Sequence, residues 1–297
     1  MSPQMSAAVA DSPGAAGPQS QMLADKVRRD ARASTLKALG ASLLTFLLTL
    51  VGVTVLWQLA LWASDLSPYV AKGPVDVWNF FFVEEAAAEN RAEILGNLAV
   101  TLGDAVIGFA AGLLIALLGA IGFRLSRGFE QAMMPIALLL RSVPLVAFAP
   151  IIIMIFGREF ATVAVMGGIV VLFPALVNIA FGLQQSSQQT LEVVQVYGGG
   201  PIKQLTKVAL PASLPAFFAA VRVSVPGAIT GALLAEWLAT GSGIGGVING
   251  YATSAKFDEL WASVVVVTLT SLVLYNLVAI LENTVLARMG MHPTKRL

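Results

Sequence analysis

The chain has 297 residues, of which 57% are apolar and 12% charged, with a mean hydropathy of +0.81 and a net charge of +1. A soluble domain carries about twice that share of charge, and the long uncharged stretches place the chain among polytopic membrane proteins. It has no cysteine and a single histidine, His292, which excludes disulfides, thiol catalysis and Cys- or His-rich metal sites.

Residues 1–20 are rich in Ala, Ser, Pro, Gly and Gln, and the basic residues Lys26, Arg28, Arg29 and Arg32 follow. Residues 1–35 read as a disordered tail, and residues 36–297 as the membrane domain. The first uncharged run, 39–62, is 24 residues long. That is too long for a signal-peptide core and predicts an uncleaved first span. Gaps between charges predict five more spans, at 105–123, 132–157, 161–183, 215–240 and 260–281. The third is interrupted by Pro144 and Pro150 and holds Arg141. Each is near the ~20 residues that cross a bilayer. Only a helix satisfies its own backbone over that length in lipid. The expected fold is therefore all-α and polytopic, with about six transmembrane helices.

Two connections are long. Residues 63–97 are acidic and carry Trp78, Phe80, Phe81 and Phe82, with a short surface helix expected at 84–96. Residues 184–214 begin polar and continue as LEVVQVYGGGPIKQLTKVALPASLP from Leu191. Here Thr190 is expected to cap a helix from Glu192. Gly198-Gly199-Gly200-Pro201 must turn it. A second helix, 202–209, is expected to present Lys203 and Lys207 on one face and to end at Leu210-Pro211. Such an elbow suits docking to a soluble partner.

Orientation follows from Lys and Arg. With the N-terminus inside, the inside segments hold twelve of them and the outside segments four, a positive-inside bias that makes both termini cytoplasmic. The remaining two, Arg141 and Arg222, lie within spans, as does Glu236, and Asp104 borders one. Charge inside a membrane is costly unless paired or hydrated, so such residues are candidates for a solute pathway or for anchoring at a span end. Arg141 and Ser142, just before Pro144, have the best placement; Glu236 and Gly243 are the candidates near the outer side.

Other motifs point elsewhere only weakly. Gly241, Gly243 and Gly246 match G-x-G-x-x-G, but a dinucleotide site needs a strand before and a helix after, and the context is an apolar span. Gly241-Ser242-Gly243 lacks a base, because His292 is expected on the opposite side. Gly108, Gly112, Ala116 and Ala120 form a small-residue ladder suited to close helix packing, within the chain or in a homodimer. There is no G-x-x-x-x-G-K-[ST], so the chain makes no P-loop. A stand-alone membrane enzyme would need a catalytic constellation near the spans, and a channel a filter loop or charged ring; neither is evident.

The loop resembles the EAA loop of ABC-importer permeases: Glu192, Gly198, Val208, Leu210 and Pro211 fall on the family spacing, with Val193 and Val194 in place of the two alanines. LLLRSVPLVAFAPIIIMIFG (138–157) and LLAEWLATGSGIGGVI (233–248) look like segments of nitrate/sulfonate/taurine-type permeases. Asp104 departs from relatives of this type, which more often have a basic residue there. The resemblance covers roughly residues 97–288. It implies a type I importer permease in the cell inner membrane, not itself an enzyme. Residues 188–211 would be its coupling loop, with Glu192, Gly198, Lys203, Lys207, Leu210 and Pro211 docking an ATP-binding subunit, two copies per transporter. ATP and Mg would bind in that partner and no cofactor in this chain. A solute-binding protein would deliver a small solute to a pathway formed with a second permease copy or a paralogue. The resemblance favours a small anion such as nitrate, a sulfonate or taurine, with a pyrimidine-type vitamin precursor as the alternative. It implies no nucleic-acid partner.

Overall fold

A computed structural model describes Gly40, Leu44 and residues 47–289. The expected tail at 1–35, the basic run within it and His292 lie outside the described residues. The chain divides into two units, Met1–Asp65 and Leu66–Leu297. The described part of the first is helix α1, Leu47–Ala63, whose Thr54 hydroxyl donates to the Leu50 carbonyl at 2.9 Å.

The second unit holds helices α2 (Pro74–Phe82), α3 (Ala87–Leu125), α4 (Arg127–Ser142), α5 (Leu145–Phe156), α6 (Phe160–Gln184) and α7 (Gln188–Val196). They are followed by α8 (Pro201–Thr240), α9 (Gly243–Thr253) and α10 (Phe257–Arg288). No strand occurs among the described residues, as the all-α expectation requires. Among the described residues four helices, α3, α6, α8 and α10, are long and apolar enough to cross a membrane, and the count is five if the bent pair α4–α5 is taken as one span. α1 as described is shorter than a span.

The centre of this unit is α3, α6 and α8, packed mutually. Their closeness is written in small residues. A Cβ on Gly108 would stand 2.7 Å from Gly167 Cα, one on Gly112 2.5 Å from the Gly168 carbonyl, and one on Gly231 2.8 Å from Gly167 Cα. Any side chain would therefore push backbone against backbone. Ala116 and Ala120 continue the seam fully buried against Ala175, Leu176 and Ile179. The ladder is thus used within the chain, where its close packing joins α3 to α6.

Three expected elements differ from the structure. The third span is not one helix: α4 and α5 meet at 103°. Pro144 disfavours helical backbone at the residue before it, and Val143 is extended at φ −83, ψ 127. Pro150 and Pro135 sit inside α5 and α4 without ending them. The surface helix expected at 84–96 does not stand alone, because α3 starts at Ala87 and runs 39 residues. The short helix on this side is α2, opened by Pro74 and by the Asp76 carboxylate, which accepts from the Gly73 N–H at 2.7 Å. Leu210-Pro211 does not end the second loop helix, which continues to Thr240. A π-turn at Leu205–Ala209, with the Leu210 N–H donating to the Leu205 carbonyl, falls directly before Pro211. In a regular α-helix that proline's ring would meet the carbonyl four residues back, so the widened turn carries the chain past it.

Residues 66–82 are fastened onto the start of α10. The Trp261 indole donates to the Val70 carbonyl at 2.9 Å, Lys72 pairs with Asp258 at 3.0 Å, and Tyr69 packs edge-on against Phe257. Arg91 and Asn90 of α3 donate to the carbonyls of Phe81 and Phe80 at the end of α2.

Candidate functional site

The elbow between α6 and the membrane-crossing part of α8 is built by backbone chemistry. α7 starts at Gln188, four residues earlier than expected, with Ser187 at its N-cap position and Thr190 inside it. Leu191 is its buried anchor. The helix closes with Tyr197, and Gly198 adopts φ +75, a left-handed conformation that glycine enters without cost. The Gly199 N–H donates to the Val194 carbonyl at 2.8 Å, and a Cβ on Gly199 would collide with Val194. Both glycines are therefore required, one for its φ and one for closeness. Pro201 opens α8 at the position where a missing N–H costs nothing.

What the elbow shows to its surroundings is mixed. Glu192, Gly198, Lys203 and Lys207 are exposed, and Leu210 and Pro211 half-buried. Glu192 accepts from the Gln188 amide at 3.3 Å. Among them stand four exposed apolar side chains, Val193, Val196, Tyr197 and Ile202, none of them expected as a docking residue from the sequence. Val196, which ends α7, and Tyr197, which caps it, are 85% and 87% exposed among the described residues. Their signal was an apolar pair three residues apart, Val193 and Val196, on a helix whose other apolar residues are Leu191 and Val194.

The α4–α5 bend carries the second group of expected residues. Arg141 lies in the last turn of α4; it is exposed and makes no hydrogen bond or ion pair among the described residues. The Ser142 hydroxyl donates to the Leu139 carbonyl at 2.7 Å. The bend is formed where a charge and a proline-broken helix coincide.

The third group is at the far end of α8, and there the structure departs from expectation. Glu236, expected beside a pathway, is fully buried in the seam between α3, α8 and α9. Its Oε2 accepts from Thr101 Oγ1 at 2.9 Å and from the Gly245 N–H at 2.7 Å. Thr101 Oγ1 in turn accepts from the Ile244 N–H at 2.9 Å. Asp104, one turn along α3, is the other carboxyl facing Glu236. Gly243, at φ +63, lies against the carboxyl with no room for a Cβ. Gly241, Gly243 and Gly246 belong to this tight junction between two helices, with no strand before them, so the dinucleotide reading has no structural support.

Arg222 of α8 is not a lone span-end charge. It pairs with Glu282 of α10 at 3.2 Å, both side chains largely buried, and lies over the Tyr275 ring at 5.5 Å. Nothing in the local sequence marked Glu282 as its partner. Among the described residues no group of three or more His, Cys, Asp or Glu could hold a metal ion.

Comparison with known proteins bears on the elbow and the spans together. Residues 108–290 match the family described as binding-protein-dependent transport system inner membrane component. A protein of Haemophilus influenzae named "Probable ABC transporter permease protein" is 29% identical over 56% of this chain and 66% of its own length. SsuC of Escherichia coli K12, named for aliphatic sulfonates transport, is 28% identical over 55% of this chain and 61% of its own. RibX of Chloroflexus aurantiacus, named a riboflavin transport system permease, is 27% identical over 56% of this chain and 60% of its own. The chain thus spans less than two thirds of the length of these relatives.

Proposed function

This chain belongs to the binding-protein-dependent transport system inner membrane components, and from that premise we propose that it forms, with a second permease chain, the solute pathway of an ATP-binding-cassette importer. The α7–α8 elbow is the docking surface for the ATP-binding subunit, one on each of two permeases. The observation that carries this is the exposed apolar tip, Val196 and Tyr197, flanked by Glu192, Lys203 and Lys207 on a turn stiffened by glycine and proline. A rigid protrusion with an aromatic at its tip is the form of an interface anchor. ATP and Mg act in the partner subunit. A solute-binding protein delivers the cargo from the opposite side, in the cell inner membrane, and both termini are cytoplasmic.

The cargo is a small anion, with a sulfonate, taurine or nitrate as the class. Arg141 at the α4–α5 bend supplies fixed positive charge beside a broken helix, where the low dielectric strengthens attraction but release must stay possible. A heterocyclic vitamin or pyrimidine-type precursor is the second reading, favoured by the riboflavin name of one relative. Arg141→Gln separates the two. It lowers uptake of taurine per assembled complex if the cargo is anionic, Arg141→Lys keeping part of it. Uptake equal to wild type in Arg141→Gln removes Arg141 from the pathway.

Docking is tested by Gly198→Asp, which places a side chain at φ +75 and a charge on the docking surface. The variant is expected to insert normally yet lose the ATP-binding subunit on co-purification. Retention of that subunit with normal uptake would take the elbow out of the mechanism. Orientation is tested in a chain that has no native cysteine: a cysteine at Glu85 reacts with an impermeant label from outside and one at Gln188 does not.

A further inference from the structure

We infer that Glu236 and Thr101 are positioning residues that tie α9 to the end of α8, so that a displacement at the elbow is delivered to the opposite face by one continuous helix. The delivery rests on the docking role proposed for the elbow. The tie itself stands on geometry alone.

α8 has 40 residues, about 60 Å at 1.5 Å per residue. It starts at the elbow and ends in a second π-turn, Glu236–Thr240, where the Gly241 N–H donates to the Glu236 carbonyl at 2.8 Å. Gly241 then turns the chain at φ +72, and α9 begins two residues on. The first amides of any helix lack intrahelical acceptors. Ser242 precedes α9 but makes no side-chain cap; its hydroxyl pairs with that of Thr240 at 2.8 Å. The capping is done from outside the helix instead. Glu236 at the end of α8 takes the Gly245 N–H, and Thr101 of α3 takes the Ile244 N–H while donating to Glu236.

This junction has no slack. A Cβ on Gly243 would meet the Glu236 carboxyl, and one on Gly245 would stand 2.8 Å from Leu233 Cα. The other end of α9 is also fixed to α3, because the Tyr251 hydroxyl donates to Glu93 at 2.7 Å. With both ends of α9 held to α3 and its first turn held by α8, α9 follows α8 and α3 together. The cap ties the three helices through side chains that are fully buried and far apart in sequence.

The test is amide hydrogen exchange on the full chain in lipid nanodiscs, read on residues 243–253 and on the elbow, 188–204. The chain alone reports on the tie. Thr101→Val and Glu236→Ala are expected to speed exchange at Ile244 and Gly245 at least tenfold. Thr101→Ser and Glu236→Gln, which keep an acceptor in place, should stay within threefold of wild type. Exchange in Thr101→Val within threefold of wild type overturns the tie, and this variant decides the matter if Glu236→Ala does not fold. The chain co-purified with its ATP-binding subunit, with and without ATP plus vanadate, reports on delivery. In wild type both segments should change their exchange on trapping; in Thr101→Val only the elbow should. An α9 response equal to wild type in Thr101→Val, or none in wild type, overturns the delivery. Failure of any ATP-binding subunit to co-purify sinks the docking role and leaves the first measurement to stand or fall by itself.

Discussion

The two ends of α8 begin from the same device and finish as opposites. Each has a π-turn, Leu205–Ala209 at the elbow and Glu236–Thr240 at the far end. At the elbow Glu192, Lys203 and Lys207 are exposed, as are the apolar Val196 and Tyr197. At the far end Glu236 is fully buried, its Oε2 takes two donors, and two glycines pack against it and the backbone beside it. A surface left open costs the isolated chain little to change, whereas a closed polar junction penalises any change that strands a buried donor or acceptor. α8 thus starts beside an exposed surface and ends in a buried junction.

That contrast can be broken first at the closed end. Gly245→Val puts a side chain into the Leu233 backbone, and overpacking of this kind costs about 3 kcal/mol. The folded chain should lose several degrees of thermal stability in detergent, and a midpoint unchanged from wild type would show that the junction is loose. At the open end, Tyr197→Ala should leave the midpoint within the roughly 0.5 kcal/mol typical of a surface change while weakening the ATP-binding subunit's affinity about tenfold, about 1.4 kcal/mol. A stability loss there with unchanged affinity would reverse the assignment.

A smaller effect sharpens the comparison at the far tip of α9. Tyr251→Phe removes the hydroxyl that donates to Glu93, a loss of about 1 kcal/mol. Burial, then the Glu93 carboxylate, raises the Tyr251 pKa above the ordinary tyrosine value. A raised pKa means that the contribution is fully present below the ordinary tyrosine range and is lost only as the pH climbs through the raised value. The difference between wild type and Tyr251→Phe should therefore be flat between about pH 6 and 9, measured by thermal unfolding across that range. Smallest of all is Lys203→Gln. As an exposed cation it should shift stability by at most about 0.5 kcal/mol and lessen the salt dependence of ATP-binding-subunit association.

Legibility followed the range of the interactions concerned. Gly198 and Pro201 could be read as a turn because their constraint is carried in their own backbone. The elbow residues proposed to dock a partner followed from that turn and a spacing, whereas the exposure of Tyr197 had no local signal, because nothing in the sequence around it distinguishes an aromatic at an exposed tip from one in a core. Glu236 read as a span charge, and nothing local marked Thr101, 135 residues away, as its partner.

The sequence by itself determined that the chain is helical and membrane-spanning, because uncharged runs of that length must satisfy their backbone internally in lipid. It also determined where the elbow turns, since glycine and proline act at their own positions. Only the tertiary structure decided that the third span bends by 103°, that α8 passes Pro211 without stopping, and that Arg222 pairs with Glu282. Only it decided that Thr101 and Glu236, 135 residues apart, share a hydrogen bond. These last are contacts between residues distant in sequence, whose cost in chain entropy is recovered only when the α3–α6–α8 seam has closed around them.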